Sequence, residues 1–196
     1  MSREPDGIGR VLAAEHHDPH SVLGAHAERG GRPSFEARLV LAATLSPSYG
    51  IYSGFENLER VPVAPGSEEY LNSEKYELKE RALDGPLLPL AAKLNGIRRA
   101  RPALQRLDNV VFLDTADDEL VAYARQAGPE TVVCCVNLDP AAPREGLVTI
   151  PDELGLPASF TVRDLLSDQA WTWRSGGNYV RLVPGEQQAH VFGVEP

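Results

Sequence analysis

The sequence predicts an α+β chain in which a helix, strand and helix portion is followed by an antiparallel β-sandwich. Three observations carry this reading. From Asn109 onward, short runs rich in β-branched and aromatic residues (NVVFLD, ELVAYAR, TVVCCVNL, GLVTI, SFTVRDLL, AWTWR, NYVRLV and QAHVFGV) alternate with the turn sequences TADD, AGPE, DPAAPRE, SGG and PGE. Short strands at this spacing are the mark of a sandwich. Ahead of them, PLLPLAAKLNGIRRARPAL sets Leu87, Leu90, Ala91, Leu94 and Ile97 at helical intervals and stops at Pro102, which is an amphipathic helix. Earlier still, PSFEARLVLAATL combines an acidic first turn with apolar residues nearly all round and ends at Ser46-Pro47, as a buried helix does.

The elements then follow in order. Residues 1–30 hold Gly, Pro and most of the histidines, with one short apolar stretch at Val11 to Ala14, and are expected to form a poorly ordered arm because they offer little to bury. After the helix that starts at Pro33, YGIYSG (residues 49–54) reads as a short strand. Residues 55–84 show no sustained period; loops of that length in a compact domain are functional or disordered. In the second helix, Arg98, Arg99 and Arg101 fall in the last turn, where cations complement the helix dipole. The division expected is an arm over 1–30, a helix and strand portion over 31–107, and a sandwich over 108–196. Residues 109–194 carry a full set of strands and are expected to fold alone.

Composition removes several function classes. A formal net charge of −9 on 196 residues repels phosphate backbones and anionic membrane surfaces, so neither nucleic acid nor membrane is an expected partner. No apolar stretch approaches the roughly 18 residues of a membrane span, and MSREPDGIGR lacks the basic start and apolar core of a signal peptide; a cytoplasmic location is expected. Cys134 and Cys135 are adjacent, so strand alternation sends their side chains to opposite faces of a sheet. They read as inert core residues, with no further ligands at zinc spacing.

Candidate sites are few. His16, His17 and His20 with Asp18 have the residue types of a metal site, but Pro19 disfavours the helix that would gather them, and no metal is expected. Trp171 and Trp173 alternate on one strand and share a face, as sheet packing or a platform for sugar rings requires. The carboxylates of DTADDEL lack the glycine of a calcium loop and read as a solvated turn. In the long loop, Lys75 and Tyr76 offer an ammonium and a phenol able to donate to sugar hydroxyls or phosphate; by composition alone they sit in an exposed charged loop. Glu68, Glu69 and Glu74 lack the rigid scaffold that holds two carboxylates for glycosidic chemistry. No phosphate loop, nucleophile elbow or zinc motif is present, so no catalytic residue and no cofactor is assigned.

GGRPSFEARLVLAATLSPSYGIYSGFE, GSEEYLNSEKYELK, LAAKLNGIRRARPALQ and NYVRLVPGEQQAHVF resemble the closing segment of α-1,4-glucan:maltose-1-phosphate maltosyltransferases, members of the α-amylase superfamily; the likeness covers residues 30–194. It implies that residues 31–107 are the last strand and two helices of a truncated (β/α)8 barrel, and that the sandwich is the C-terminal domain. It also implies α-glucan and maltose 1-phosphate as the parent family's substrates in glycogen biosynthesis, and a retaining glycosyltransferase mechanism built on an Asp nucleophile, a Glu acid and a stabilising Asp. Those three lie upstream of the matching segment, so the chain alone is expected to be inactive, and the family's homodimer is not expected to be kept. Lys75 and Tyr76 match the family's Lys-Tyr pair on the loop after the eighth barrel strand, where maltose 1-phosphate is bound. Residues 12–26, LAAEHHDPHSVLGAH, resemble instead the N-terminus of a glycogen branching enzyme. Two alternatives to the inactive segment remain: a non-catalytic α-glucan-binding sandwich using Trp171, and a subunit that completes a split barrel.

Overall fold

The computed structural model describes residues 19–64, 71 and 78–195, with side chains from Gly30 onward. Helix α1, Pro19–Leu45, is interrupted at Gly31, whose φ of 57° and ψ of −150° lie in a region open essentially to glycine alone. The segment beyond this break is the expected helix: Arg32 pairs with Glu36 at 2.6 Å across one turn, and Phe35, Leu39, Val40 and Ala43 are buried. His20 belongs to α1, whereas His16, His17 and Asp18 lie outside the described residues, as do Glu68, Glu69, Glu74, Lys75 and Tyr76.

Residues 46–54 correct one expectation. YGIYSG is not a strand; the backbone runs without a ladder partner into a short 3-10 turn at Phe55–Asn57. The physical reason is that a barrel strand exists through hydrogen bonds to its neighbours, and the described residues provide none beside it. Its β-prone residue types therefore had no sheet to join. Helix α2, Leu88–Ala100, begins with Pro in its first turn, where the missing N–H costs nothing. It buries Ala91 and Leu94 and is followed by a 3-10 turn at Pro102–Gln105.

The strands come where the alternation places them: β1 Val110–Leu113, β2 Leu120–Ala127, β3 Glu130–Asn137, β4 Arg144–Ile150, β5 Ser159–Asp164, β6 Ala170–Arg174, β7 Gly176–Leu182 and β8 Ala189–Glu195. Six of them form one sheet in the order β1-β2-β3-β8-β5-β6, and β4 pairs with β7 in a second; every pairing is antiparallel. The central strand β3 is buried along nearly its whole length. Cover on both faces is what removes the polar alternation from TVVCCV.

Two cores result, one on each face of the larger sheet. On the first, Tyr123, Val132, Cys134, Val136 and Val191 pack with Phe35, Leu39, Val40, Leu87 and Leu94 of the helical portion. On the second, Ala122, Ala124, Val133, Cys135 and Phe192 pack with Val148, Ile150, Val180 and Leu182 of the small sheet. Layers of helices, six strands and two strands thus stack around one central sheet. The first core runs from Phe35 to Val191, so the helices and the strands share it. A stretch limited to residues 109–194 would leave that apolar face bare.

Candidate functional site

The segment between the two helices is organised by one charged clasp. Arg81 reaches back to Glu59 with Nε at 2.8 Å and Nη2 at 3.0 Å, Lys79 adds an ammonium at 3.7 Å, and Arg81 Nη1 donates to Ser53 Oγ at 3.0 Å. The forked geometry of guanidinium on carboxylate is the strong form of this contact. The Arg81 hydrogen bond holds the Glu59 carboxyl below its usual range. Glu56, buried beneath, accepts from the Gly54 N–H at 3.0 Å through its side chain and from the Leu87 N–H at 3.2 Å through its carbonyl. Both ends of the loop that contains Lys75 and Tyr76 are in this way brought to one place.

The same segment carries many exposed apolar side chains. Ile51, Tyr52, Val61, Val63, Leu71, Leu78 and Leu83 are all exposed, Leu78 and Leu83 to 97% and 87%. Seven of the twelve exposed large apolar side chains among the described residues fall in this one segment, and concentration of that kind marks a surface made to be covered.

Behind this segment, two arginines hold the end of α1 in place. A helix C-terminus leaves its last carbonyls without partners and carries partial negative charge. Arg98 of α2 donates through Nη1 to the Ala43 carbonyl and to Ser46 O at 2.8 Å, and through Nη2 to Pro47 O at 2.7 Å. It also lies over the Tyr49 ring at 4.9 Å. Tyr49 in turn donates to Asn95 Oδ1 at 2.8 Å, and burial raises its phenol despite the nearby guanidinium. Arg125, wholly buried on β2, donates through Nη1 to Thr44 O at 2.6 Å and Leu45 O at 2.8 Å, through Nε to Asn109 Oδ1 at 2.7 Å, and through Nη2 to Arg106 O. The expected role of Arg98, complementing its own helix, is therefore corrected: it serves the neighbouring helix end. Arg101 reaches Glu130 at 3.4 Å, and Arg99 is exposed.

Sequence reasoning passed over Arg125, although a signal was present. In ELVAYAR, strand alternation places Val121, Tyr123 and Arg125 on one face, and a cation there demands partners. It also passed over Asp164. That carboxylate is fully buried and accepts from Gln187 Nε2 at 2.6 Å, Ser167 Oγ at 2.6 Å and the Leu166 and Val191 N–H groups at 3.1 Å each, with His190 Nδ1 at 3.1 Å. Burial raises its pKa, but the hydrogen bonds from His190 and Ser167 and the Val191 N–H outweigh that and hold it at about 2.

The tryptophans do share a face. Trp173 is core at 5% exposure, whereas Trp171 is 38% exposed; both meet Phe192 edge-on, at 4.9 and 5.7 Å between ring centres. The two cysteines are buried in different cores, with the Cys134 thiol pushed up to about 12 by burial and that of Cys135 well above its ordinary value by burial. Among the described residues no group of three or more His, Cys, Asp or Glu side chains could hold a metal ion, and no helix is long and apolar enough to cross a membrane. The DTADDEL carboxylates form a turn, with Asp117 Oδ1 accepting from the Glu119 N–H at 2.8 Å.

In fold, the chain resembles part of the α-amylases. An α-amylase from Geobacillus thermoleovorans, solved with acarbose, superposes with a TM-score of 0.60 over 95% of this chain and 36% of that one at 19% identity. A maltogenic α-amylase from Thermotoga neapolitana gives 0.61 over 85% and 38% at 12% identity. In sequence, the likeness is more particular. Residues 112–194 match the family described as "GLGE, C-terminal". An α-1,4-glucan:maltose-1-phosphate maltosyltransferase of Streptomyces coelicolor is 47% identical over 182 residues, 88% of this chain and 27% of the relative; one from Salinibacter ruber is 39% identical over 196 residues, 94% and 29%. The C-terminal region thus resembles the maltose-1-phosphate maltosyltransferases, and the chain spans little more than a quarter of their length.

Proposed function

We propose that this chain is the closing portion of a maltosyltransferase of α-glucan biosynthesis. Residues 31–107 complete a catalytic (β/α)8 barrel whose other strands come from upstream polypeptide, and residues 108–196 are the C-terminal sandwich that supports them. The observation that carries this is the set of exposed apolar side chains Ile51, Val61, Val63, Leu78 and Leu83 in the segment that also holds the Arg81–Glu59 clasp, on a chain matching only 27% of its relative. A partner of barrel chemistry would cover that surface and pair the backbone of residues 49–54, which has no ladder here. In that setting Lys75 and Tyr76 are the residues assigned to contact maltose 1-phosphate. The nucleophile and acid belong to the upstream part, so the chain transfers no maltosyl group by itself.

The test is to mix the purified chain with the upstream part of the Streptomyces coelicolor relative and follow phosphate release from maltose 1-phosphate with a malto-oligosaccharide acceptor. Neither piece should turn over alone, activity should appear on mixing, and Lys75→Ala should lower the activity of the mixture by orders of magnitude. Phosphate release by the chain alone, lost on Lys75→Ala or Glu74→Gln, would overturn the reading and place the chemistry in the loop itself.

A further inference from the structure

On the face of the six-stranded sheet turned away from the helices, the ends of β6 and β7 and the turn before β8 enclose a half-open hollow of about 260 Å³, lined by Gln169, Trp171, Arg181, Val183, Glu186, Gln187 and His190. None of its lining residues is among those proposed to meet the barrel. Trp171 forms its wall and is held at a fixed tilt, edge-on to His190 at 5.5 Å and to Phe192 at 5.7 Å between ring centres. His190 and Phe192 are themselves stacked at 4.7 Å. Underneath, the Asp164 carboxylate fixes both His190 and Gln187 through its Oδ2. The floor is therefore set before any ligand arrives, and preorganisation of this kind reduces what binding must overcome.

The lining chooses the ligand class. A rigid, partly exposed indole offers an apolar plane, while Gln169 and Glu186 supply planar hydrogen-bonding groups at the rim; the Gln187 amide nitrogen is already committed to Asp164 Oδ2 and Ala189 O. Apolar plane and planar polar groups together match a sugar ring, whose C–H face is apolar and whose hydroxyls ring its edge. The one cation, Arg181, is already paired with Glu145 at 3.1 Å, and Glu186 and the buried Asp164 are anionic, so the hollow does not attract phosphate. With a volume below the ~300 Å³ floor of enclosed small-molecule sites, it takes a single exposed ring of a longer chain. We infer that the Trp171 hollow is a surface site for neutral α-1,4-glucan, which tethers the polymer away from the barrel.

This goes beyond the barrel-closing reading and borrows from it only the identity of the sugar. The experiment uses the chain alone, so its failure leaves the mixing assay untouched. Migration in native gels cast with glycogen, and fluorescence titration with maltoheptaose, read binding directly, since Trp171 and Trp173 are the only tryptophans. The chain should be retarded and its emission changed. Trp171→Ala should weaken binding about tenfold, and the exposed pair Gln169→Ala and Glu186→Ala severalfold, while Tyr179→Ala on the outer surface of β7 should leave it as it was. Should Trp171→Ala fold poorly by circular dichroism, the Gln169 and Glu186 variants decide. Absence of retardation, retention of it in all of these variants, equal loss on Tyr179→Ala, equal response to cellopentaose, or competition by inorganic phosphate would each overturn the proposal.

Discussion

The two faces of the six-stranded sheet are covered by different means. Against the small sheet, the contact is apolar packing: Val133, Cys135, Val148, Ile150, Val180, Leu182 and Phe192 meet side chain to side chain. Against the helices, an apolar core of similar extent is joined to a polar lock, in which Arg125 donates to carbonyls of α1 and of the segment after α2, and Tyr123 Oη sits 2.5 Å from Thr44 Oγ1. Burial lowers the Arg125 pKa below its ordinary value, yet the group stays charged because a guanidinium so far above neutrality does not lose its proton. Packing alone tolerates sliding of one layer over another. A buried fork with its donors committed to named carbonyls does not, so the helix end has one position on the sandwich.

The largest effect is expected where that lock is broken. Arg125→Met should destabilise the chain by about 3 to 5 kcal/mol, since it strips donors from buried carbonyls; urea unfolding monitored by circular dichroism would show it. The loss should be lopsided. Neither thiol should react with a disulfide reagent in the native chain, because both are buried and their pKa values raised. In the variant Cys134, beneath the helices, should be labelled well before Cys135. Equal labelling of the two would mean that the sheet opens as a unit and that the faces do not differ.

Next in size is a second buried ion, on β5 toward the opposite end of the sheet. Asp164 has a native pKa of about 2 against an ordinary 3.8, so its carboxylate form favours the fold. Since the native value is the depressed one, that stability is fully present above about pH 4 and disappears as the pH falls through about 2. Its size is about 2 kcal/mol. Asp164→Asn should cost a similar amount near neutrality and flatten the acid limb of the stability profile between those limits. Arg125→Met, by contrast, should shift the whole profile down without changing its shape there.

Much of this architecture was legible because the signals were local. The strands from Val110 to Glu195 are bounded by Gly, Pro, Asp and Asn turns, and the 134/135 pair declares a central strand covered on both faces. Trp171 and Trp173 declare a shared face by their spacing alone. What failed depended on partners distant in sequence. YGIYSG has strand-forming residues, but a strand is a property of a sheet, and its neighbours are not among the described residues. Arg98 looked like the end of its own helix because nothing in RRARP reveals that the carbonyls of residues 43, 46 and 47 lie across from it. Asp164 sits at the end of SFTVRD, where a solvated turn residue is the ordinary reading. Only the return of β8 beside β5 brings the Val191 N–H and His190 to it.

The smallest effect concerns Arg98, and it separates two accounts of how the helix end is held. Arg98 is half-buried and bonds three carbonyls beyond those taken by Arg125, so Arg98→Ala alone should cost about 1 to 2 kcal/mol, as hydrogen bonds from a charged donor do. If the two arginines grip one rigid helix end, losing Arg125 first lets that end loosen. Arg98→Ala should then cost less in the Arg125→Met background, by about 0.5 kcal/mol or more in a double-mutant cycle. If instead their mutual repulsion dominates, which lowers the Arg125 pKa slightly, removing Arg125 relieves Arg98 and the second substitution should cost more. Shared anchorage is the expected result, because the guanidinium groups lie against the negative end of a helix, which offsets their repulsion. The sign of the coupling therefore reports whether the polar face of the sheet works as one lock or as two separate contacts.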